Sequence, residues 1–331
     1  MLKISNLMRS TGATLPKTIV VAAFVGATIV GAASAAKAQT LGLSVANAAG
    51  VDCMDTASAL NYWRPIREQA PTSEAPPDEL ALDLLSCLGS PNPELRDRIG
   101  YELFTYWLRG EKLGDETRRI LLVELSSMMA VPPEALPGDS AFSRSFSALI
   151  LSEVMRSDAN RPFMTAAERQ SLLDQAIRSL EQENDYRGLD AKLGWVHPVA
   201  HMSDLLWRFA LHAETTAAQA ESILAGVRSK VAPTDVFYSF NESDRLARVI
   251  TTMIQRKLID ADRVAPWIKS FEVPNSMEKW SGAFMSPQGM AELHNTKLFL
   301  RALADQLDGA DIDAVITESL EALVQGFTQL I

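Results

Sequence analysis

The chain has 331 residues, of which 47% are hydrophobic and 22% charged, and its formal net charge at pH 7 is −10. A chain of this length can bury a large core, as one domain or two. The acidic balance argues against nucleic acid and anionic membrane surfaces as partners, and two cysteines are too few for a disulfide scaffold or a thiolate metal cluster.

The N-terminal residues have the three parts of a secretory signal peptide. Residues 1–17 are basic and contain no acid, and residues 18–36 are apolar or small throughout. Ala36-Lys37-Ala38 then forms an A-x-A cleavage site, with Gln39 as the expected first mature residue. A second small-residue site at Ala46-Asn47-Ala48 leaves the end of the signal open.

Cleavage of residues 1–38 predicts an exported protein, and we expect it in the periplasm of a Gram-negative bacterium. The alternative is an uncleaved anchor helix, because the apolar run is just long enough to cross a bilayer. After cleavage no membrane insertion is expected. Residues 1–38 hold four Lys or Arg and no acid, so the mature chain keeps 27 basic and 41 acidic residues, a net charge of −14.

Residues 39–77 are rich in proline and predict an extended lead-in that docks through Trp63. Cys53 lies in this lead-in, and Cys87 follows it. In an oxidising compartment the two could pair and stabilise the fold by about 3–4 kcal/mol. Two buried free thiols are the alternative.

Residues 78–331 predict an all-α domain of roughly ten to twelve helices, because apolar residues recur at three- and four-residue spacing. Four helix starts carry N-cap signals, two of them before a proline and two in capping boxes: Asn92, Thr165, Thr216 and Ser286. Helices in tandem pairs favour an α–α superhelix, a HEAT-like helical solenoid. A compact helical bundle is the alternative, because no clean repeat period is visible. The best strand pattern, at residues 234–240, is short.

Two of the four histidines, His197 and His201, lie four residues apart, and Asp204 follows them. Pro198 suits a first helical turn, so we expect a helix over 198–212 with His197 at its N-cap. At 100° per residue the polar side chains form one stripe opposite an apolar face. The stripe comprises His201, Asp204, Arg208 and His212.

Three interpretations of this stripe are open. It is the solvated face of an amphipathic helix, or it contains a structural His201–Asp204 pair, or it forms a site. In a site, the imidazoles of His197 and His201 would face one metal ion such as zinc, with Asp204 as third ligand or as the group that orients a ring. The helix N-terminus also favours an anion. The zinc-protease helix is excluded, because Pro198 stands where that motif has its general-base Glu.

Acidic residues close the preceding helix, where the negative end of the helix dipole disfavours them. Glu183 and Asp185 are therefore expected to pair, with Arg187 as one partner, or to face the histidines. A charged helix end in solvent is the alternative. Gly188 is expected to turn the chain with a positive φ.

Three segments resemble a bacterial helical family catalogued as domain of unknown function 2785. They are SRSFSALIL (143–151), ENDYRGLDAKLGWVHPVAHMSDLL (183–206) and NESDRLARVI (241–250), and the resemblance covers roughly residues 80–310. Pro198 departs from the pattern, where a small residue is expected. The resemblance implies an all-helical fold and makes a site at the stripe more plausible, but it implies no reaction. The matching residues are Arg144, Ser145, Phe146, Glu183, Asp185, Arg187, Gly188, Gly194, Trp195, His197, Ala200, His201, Asp204, Glu242, Arg245 and Leu246.

Arg144 and Arg245 each lie near a predicted helix start, where a cation gains nothing from the helix dipole. A guanidinium among apolar neighbours needs a carboxylate, which Glu183, Asp185 or Asp204 would supply. We therefore expect these segments to meet at one concave polar patch. The candidate binding residues are Arg144, Asp185, Arg187, Trp195 and Arg245. The alternative is a buried ion-pair network between helices.

Two functions follow from these patterns. The first is a binding module that presents a polar His/Asp/Arg groove to a peptide, a protein or a small anion. The alternative is a metal-assisted hydrolase, in which His197, His201 and Asp204 act as ligands or general base and Glu183 or Asp185 supplies the acid. A purely structural role is a third reading. No phosphate-binding loop, nucleophile elbow or C-x-x-C motif is present.

Overall fold

A computed structural model describes residues 51–130 and 140–330, and the predicted signal peptide lies outside them. Twelve α-helices and one two-stranded hairpin occur in these residues, which confirms the predicted all-α class. The helices are α1 Thr56–Gln69, α2 Asp78–Leu84, α3 Glu102–Arg109, α4 Asp115–Met129, α5 Ala141–Asn160, α6 Ala166–Gln182, α7 Pro198–Leu211, α8 Ala217–Lys230, α9 Glu242–Gln255, α10 Ala261–Lys269, α11 Pro287–Leu307 and α12 Ala314–Gln329.

Shorter elements complete the chain. A π-helix spans Glu94–Tyr101, and 3-10 helices span Leu85–Gly89, Ser270–Glu272 and Trp280–Met285. The hairpin pairs β1, Leu189–Asp190, with β2, Gly194–Trp195, in antiparallel register. Residues 234–240, the best strand pattern of the sequence, form an irregular loop instead.

The helix starts follow the capping signals in the sequence. Thr165 and Thr216 each accept a hydrogen bond in a complete capping box, at the starts of α6 and α8. Ser286 Oγ accepts from the N–H of Gly289 at the start of α11. The Oδ1 atom of Asn92 accepts from the backbone N–H groups of Glu94 and Leu95, at 2.9 and 3.1 Å, where the π-helix begins. Side-chain acceptors thus satisfy backbone donors that have no partner within the helix.

The predicted extended lead-in is in part a helix. Residues 56–69 form α1, capped by Asp55, whose side chain accepts from the N–H of Ser58. Pro65 lies inside α1, and Trp63 is fully buried, as its expected docking requires. Pro65 cannot donate a backbone hydrogen bond within α1.

Cys53 and Cys87 form a disulfide across a sequence separation of 34 residues. It joins the residues before α1 to the 3-10 helix after α2. A closed loop of this length stabilises the folded state by about 3–4 kcal/mol on the chain-entropy account.

The larger helices pack in two successive rows. In one row α3, α5, α7, α9 and α11 each contact the next. In the other, α4, α6 and α8 contact one another in turn, and α10 contacts α12. Helix α7 therefore lies between α5 and α9, and 11 of its 14 residues are buried. In the part of the chain that the structure describes, no helix combines the length and apolarity needed to cross a bilayer.

Candidate functional site

The polar stripe begins where the hairpin meets α7. The predicted helix is present from Pro198, and His197 precedes it in the left-handed region, at φ 49°. The N–H of His197 donates to the carbonyl of Arg187 at 3.0 Å, and the N–H of Val196 donates to that of Gly188 at 2.9 Å. These bonds tie the segment before α7 to the segment after α6, so His197 has a fixed position.

Gly188 has a packing role rather than the predicted conformational one. The glycine of this loop with positive φ is Gly194, at φ 72°, and the expectation for Gly188 is wrong. A Cβ atom on Gly188 would lie 2.0 Å from Cδ2 of Phe240. Gly188 therefore allows the 235–240 loop to approach the hairpin.

Replacement of Gly188 by alanine is expected to lower the free energy of unfolding by about 1–3 kcal/mol, because the ring of Phe240 must move. Urea unfolding of Gly188→Ala measures this loss. The double variant Gly188→Ala/Phe240→Ala is the control, since it removes the ring that the new methyl group meets. Equal stability of Gly188→Ala and the parent chain would contradict the packing role.

The two histidines lie side by side, each with a different environment. Their ring centroids are 5.7 Å apart. Trp195 stacks on His197 at 4.9 Å, and His197 Nε2 lies 3.5 Å from Oε1 of the buried Glu242. Burial alone would raise the pKa of Glu242, but hydrogen bonds from His197 and from backbone N–H groups keep this pKa below its usual value. A buried carboxylate at the start of α9 thus faces the imidazole of His197.

His201 is neutral, and its tautomer follows from its partner. Ser145 Oγ donates to the carbonyl oxygen of Val196, which can only accept. Because a serine hydroxyl has one hydrogen, the 2.7 Å contact between Ser145 Oγ and His201 Nδ1 places a hydrogen on Nδ1. Nε2 then carries the lone pair. Burial, together with the neighbouring His197 and Arg245, lowers the pKa of His201 well below 6.5.

This lowered pKa predicts a loss of stability in mild acid. In the unfolded chain the imidazole binds a proton near pH 6.5, whereas in the folded chain it stays neutral. The contribution of His201 is therefore present above pH 6.5 and is lost as pH falls below that value. Unfolding free energies between pH 8 and 5 should fall less steeply for His201→Asn than for the parent, by up to about 1.4 kcal/mol per pH unit. Asn keeps a donor near Nδ1, and identical slopes would contradict a neutral His201.

Asp204 faces α9 rather than the histidines. Nη1 of Arg245 donates to both carboxylate oxygens, at 2.8 and 2.6 Å, and Nη2 of Arg248 donates to Oδ1. Arg245 thus has a predicted partner. Because His201 and Asp204 are buried, the solvated-face interpretation of the stripe is wrong for these two residues.

Glu183 is the carboxylate partner of Arg144, the other arginine for which such a partner was predicted. Nε and Nη2 of Arg144 donate to its two oxygens, each at 3.1 Å, and both side chains are almost fully buried. The N–H groups of Asn184 and Asp185 also donate to Glu183 Oε1. This is the buried ion pair named as the alternative. Asp185 pairs with Arg187 nearer the surface.

The predicted metal ligands are not brought together as a set of three. The imidazoles of His197 and His201 are neighbours, but two guanidinium groups occupy the carboxylate of Asp204. Across residues 51–130 and 140–330, no three His, Cys, Asp or Glu side chains are grouped closely enough to hold a metal ion.

A cleft of 730 Å³ opens beside the hairpin. Two loops line it, residues 184–190 and residues 235–240, and Asp185 and Arg187 are among its lining residues. Phe240 lines the cleft and also lies near the histidines. Its ring contacts that of Trp195 in a T-shaped arrangement, with the centroids 6.1 Å apart, and Trp195 stacks on His197. The cleft and the imidazole pair are thus neighbouring features.

The comparisons with known proteins give the family. Residues 137–304, just over half of the chain, match the family described as "Protein of unknown function (DUF2785)". The chain belongs to the DUF2785 family. No curated protein and no solved structure matches it.

The DUF2785 match contains α5, α7 and α9, which carry Arg144, His201, Asp204 and Arg245. A residue outside the match, Arg96, was missed by sequence reasoning. Arg96 is fully buried, and its Nη2 donates to the carbonyls of Leu193 and Trp195 at 2.7 and 3.0 Å. An arginine three residues before Ile99, on the same helical face, was the available signal.

Proposed function

We propose that this DUF2785 protein is an exported binding module that holds a peptide segment in the cleft between loops 184–190 and 235–240. The observation that carries the proposal is the 730 Å³ cleft, which combines aromatic side chains with carboxylates on two loops, one of which continues into the hairpin. Clefts on a rigid scaffold are common sites of ligand binding.

The proposed scaffold is a HEAT-like α–α superhelix. The succession of α3, α5, α7, α9 and α11 in one row, with α4, α6 and α8 in the other, supports it. Such stacks present loops along one edge, where both cleft loops would lie.

The cleft lining favours a peptide with basic and apolar side chains. Phe237 and Phe240 are 45% and 36% exposed, which is unusual for such large rings and leaves them open to a ligand. Asp185, Asp190 and Asp235 outnumber the single cation, Arg187. This negative balance disfavours a small anion in the cleft and favours a basic segment.

A random peptide library displayed on phage tests the proposal. We expect enrichment of sequences that combine Lys or Arg with an aromatic or aliphatic residue. Phe237→Ala should weaken binding of an enriched peptide by about tenfold or more, as for a central contact residue. The matched control is Phe284→Ala, since Phe284 is 50% exposed and lies outside the cleft lining. Absence of enrichment, or equal binding by Phe237→Ala, would exclude the cleft.

Export is tested separately. The chain is produced with residues 1–50 in a Gram-negative host, and the protein in the periplasmic fraction is sequenced from its N-terminus. A start at Gln39 or soon after Ala48 supports the proposed localisation, whereas retention of Met1 in the cytoplasm opposes it.

A metal-assisted hydrolase is the second candidate. The observation that favours it is the lone pair on Nε2 of His201, in a ring whose centroid lies 5.7 Å from that of His197, with Glu242 beside His197. Asp204 would have to leave Arg245 and Arg248 to serve as a ligand. Zinc content is compared between the parent chain and His201→Ala, both purified without chelator. Zinc near zero in both would remove this candidate.

A further inference from the structure

Five arginines from four helices gather around two carboxylates at the far end of the polar stripe. We name this group the arginine cluster. Its members are Arg109 of α3, Arg156 of α5, Arg208 of α7, and Arg245 and Arg248 of α9, and its carboxylates are Asp204 and Glu153. Five cations therefore meet two anions, in a chain whose net charge is −10.

The ion pairs hold the cluster together. Asp204 forms ion pairs with Arg245 and Arg248. Glu153 receives two hydrogen bonds from Arg109, at 2.8 and 2.7 Å, and lies 3.5 Å from Nη2 of Arg208. Arg156 is more distant, at 3.9 Å. Three positive charges remain unbalanced within the cluster.

Trp207 joins the two halves. The guanidinium carbon of Arg248 lies 3.9 Å from the centroid of its ring, and that of Arg208 lies 4.5 Å away. The indole Nε1 donates to Thr252 Oγ1 at 3.0 Å, which fixes the ring. Two like charges are thus positioned on one aromatic platform, at an electrostatic cost.

The two arginines on Trp207 are incompletely satisfied. Nε of Arg208 and Nε of Arg248 are both buried, and neither has a hydrogen-bond partner among the described residues. Burial lowers the pKa of each side chain, and neighbouring arginines lower it further. The side chains of Arg109, Arg245 and Arg248 are 42%, 40% and 32% exposed, so a ligand can reach the cluster from solvent.

We propose that the arginine cluster binds a small ligand with at least two negative charges, of the pyrophosphate or phosphate-ester class. Guanidinium forks match the oxygens of phosphoryl groups, and several forks within one group favour a multivalent anion. The acidic surface of the remaining chain disfavours a long polyanion such as nucleic acid. This site is separate from the cleft and does not depend on peptide binding there.

Calorimetric titration of the purified chain with inorganic pyrophosphate tests the proposal. We expect saturable binding that weakens as sodium chloride is raised, with inorganic phosphate binding more weakly. Arg208→Gln and Arg248→Gln should each weaken pyrophosphate binding by about tenfold to a hundredfold, as expected for one charged hydrogen bond. The matched control is Arg263→Gln, which removes an exposed arginine paired with Glu221 outside the cluster and should leave the affinity unchanged.

Arg248→Lys tests the proposal in case the glutamine variants do not fold. It keeps the charge but not the fork, and we expect an affinity between those of the parent and Arg248→Gln. The proposal is overturned if the parent shows no saturable binding of pyrophosphate at millimolar concentrations. It is also overturned if folded Arg208 and Arg248 variants bind as tightly as the parent, or if Arg263→Gln weakens binding equally. Loss of peptide enrichment in the library experiment would leave this result unaffected.

Discussion

Replacement of Arg144 by leucine is expected to lower the free energy of unfolding by about 3–5 kcal/mol. The guanidinium of Arg144 is nearly fully buried and forms two hydrogen bonds with Glu183, which is buried as well. Without Arg144 the carboxylate of Glu183 stays in an apolar setting without its counter-charge. Chemical unfolding of Arg144→Leu and the parent chain at neutral pH measures the difference.

An exposed pair of the same geometry is the matched control. Nε and Nη2 of Arg64 donate to the two oxygens of Glu94, each at 2.7 Å, but the side chains are 49% and 38% exposed. Arg64→Leu should therefore cost less than about 1 kcal/mol. Losses of equal size for Arg64→Leu and Arg144→Leu would show that burial does not determine the value of the Arg144–Glu183 pair.

Arg144→Leu should also affect the cleft. Glu183 also accepts hydrogen bonds from the N–H groups of Asn184 and Asp185, the first residues of a cleft loop. Arg144 thus positions this loop through Glu183. Arg144→Leu should increase amide hydrogen exchange at residues 184–188 more than at α12, which is distant in the chain.

Local signals in the sequence explain how much of the fold was predictable. Capping residues such as Thr165, Thr216 and Ser286 act within one helical turn, so their effect on helix starts is visible in the sequence. The extended lead-in was wrong over α1 because the burial of Trp63 depends on distant residues that a local proline signal does not report. The order of the rows also depends on contacts between distant segments.

The residues of the site and the carboxylate partners of its arginines were predictable, but the position of Asp204 relative to the histidines was not. A guanidinium in an apolar segment needs a carboxylate, and Arg144 and Arg245 each have one of those expected, Glu183 and Asp204. The metal-ligand pattern assumed that Asp204 faces His201, since both lie on one stripe. A stripe along a helix reports a shared face but not which neighbouring helix each side chain meets, and Asp204 meets α9.

The same limit applies to Arg96, because two of its partners, Leu193 and Trp195, are distant in the chain. Its replacement by methionine is the second large effect that we expect, a fall of about 3–5 kcal/mol in the free energy of unfolding. Its side chain is fully buried, and Nε pairs with Asp97 at 2.9 Å. Nη1 and Nη2 donate to three carbonyls, those of Ser90, Leu193 and Trp195. Methionine has a similar length, so the loss reports the missing charge and donors rather than a cavity.

The loss should concentrate at the segment that bears His197. Arg96 binds the carbonyls on both sides of Gly194, and His197 follows Trp195 by two residues. In Arg96→Met the amide hydrogens of Val196 and His197, which donate to Gly188 and Arg187, should exchange faster than those of α11. Arg98→Met is the control, because Arg98 lies two residues after Arg96 in the same π-helix but is exposed. This variant should leave both amides protected. If Arg96→Met keeps full stability and full protection at Val196 and His197, the arginine does not hold the hairpin against the π-helix. The fixed position of His197 must then come from the backbone hydrogen bonds to residues 187 and 188 alone.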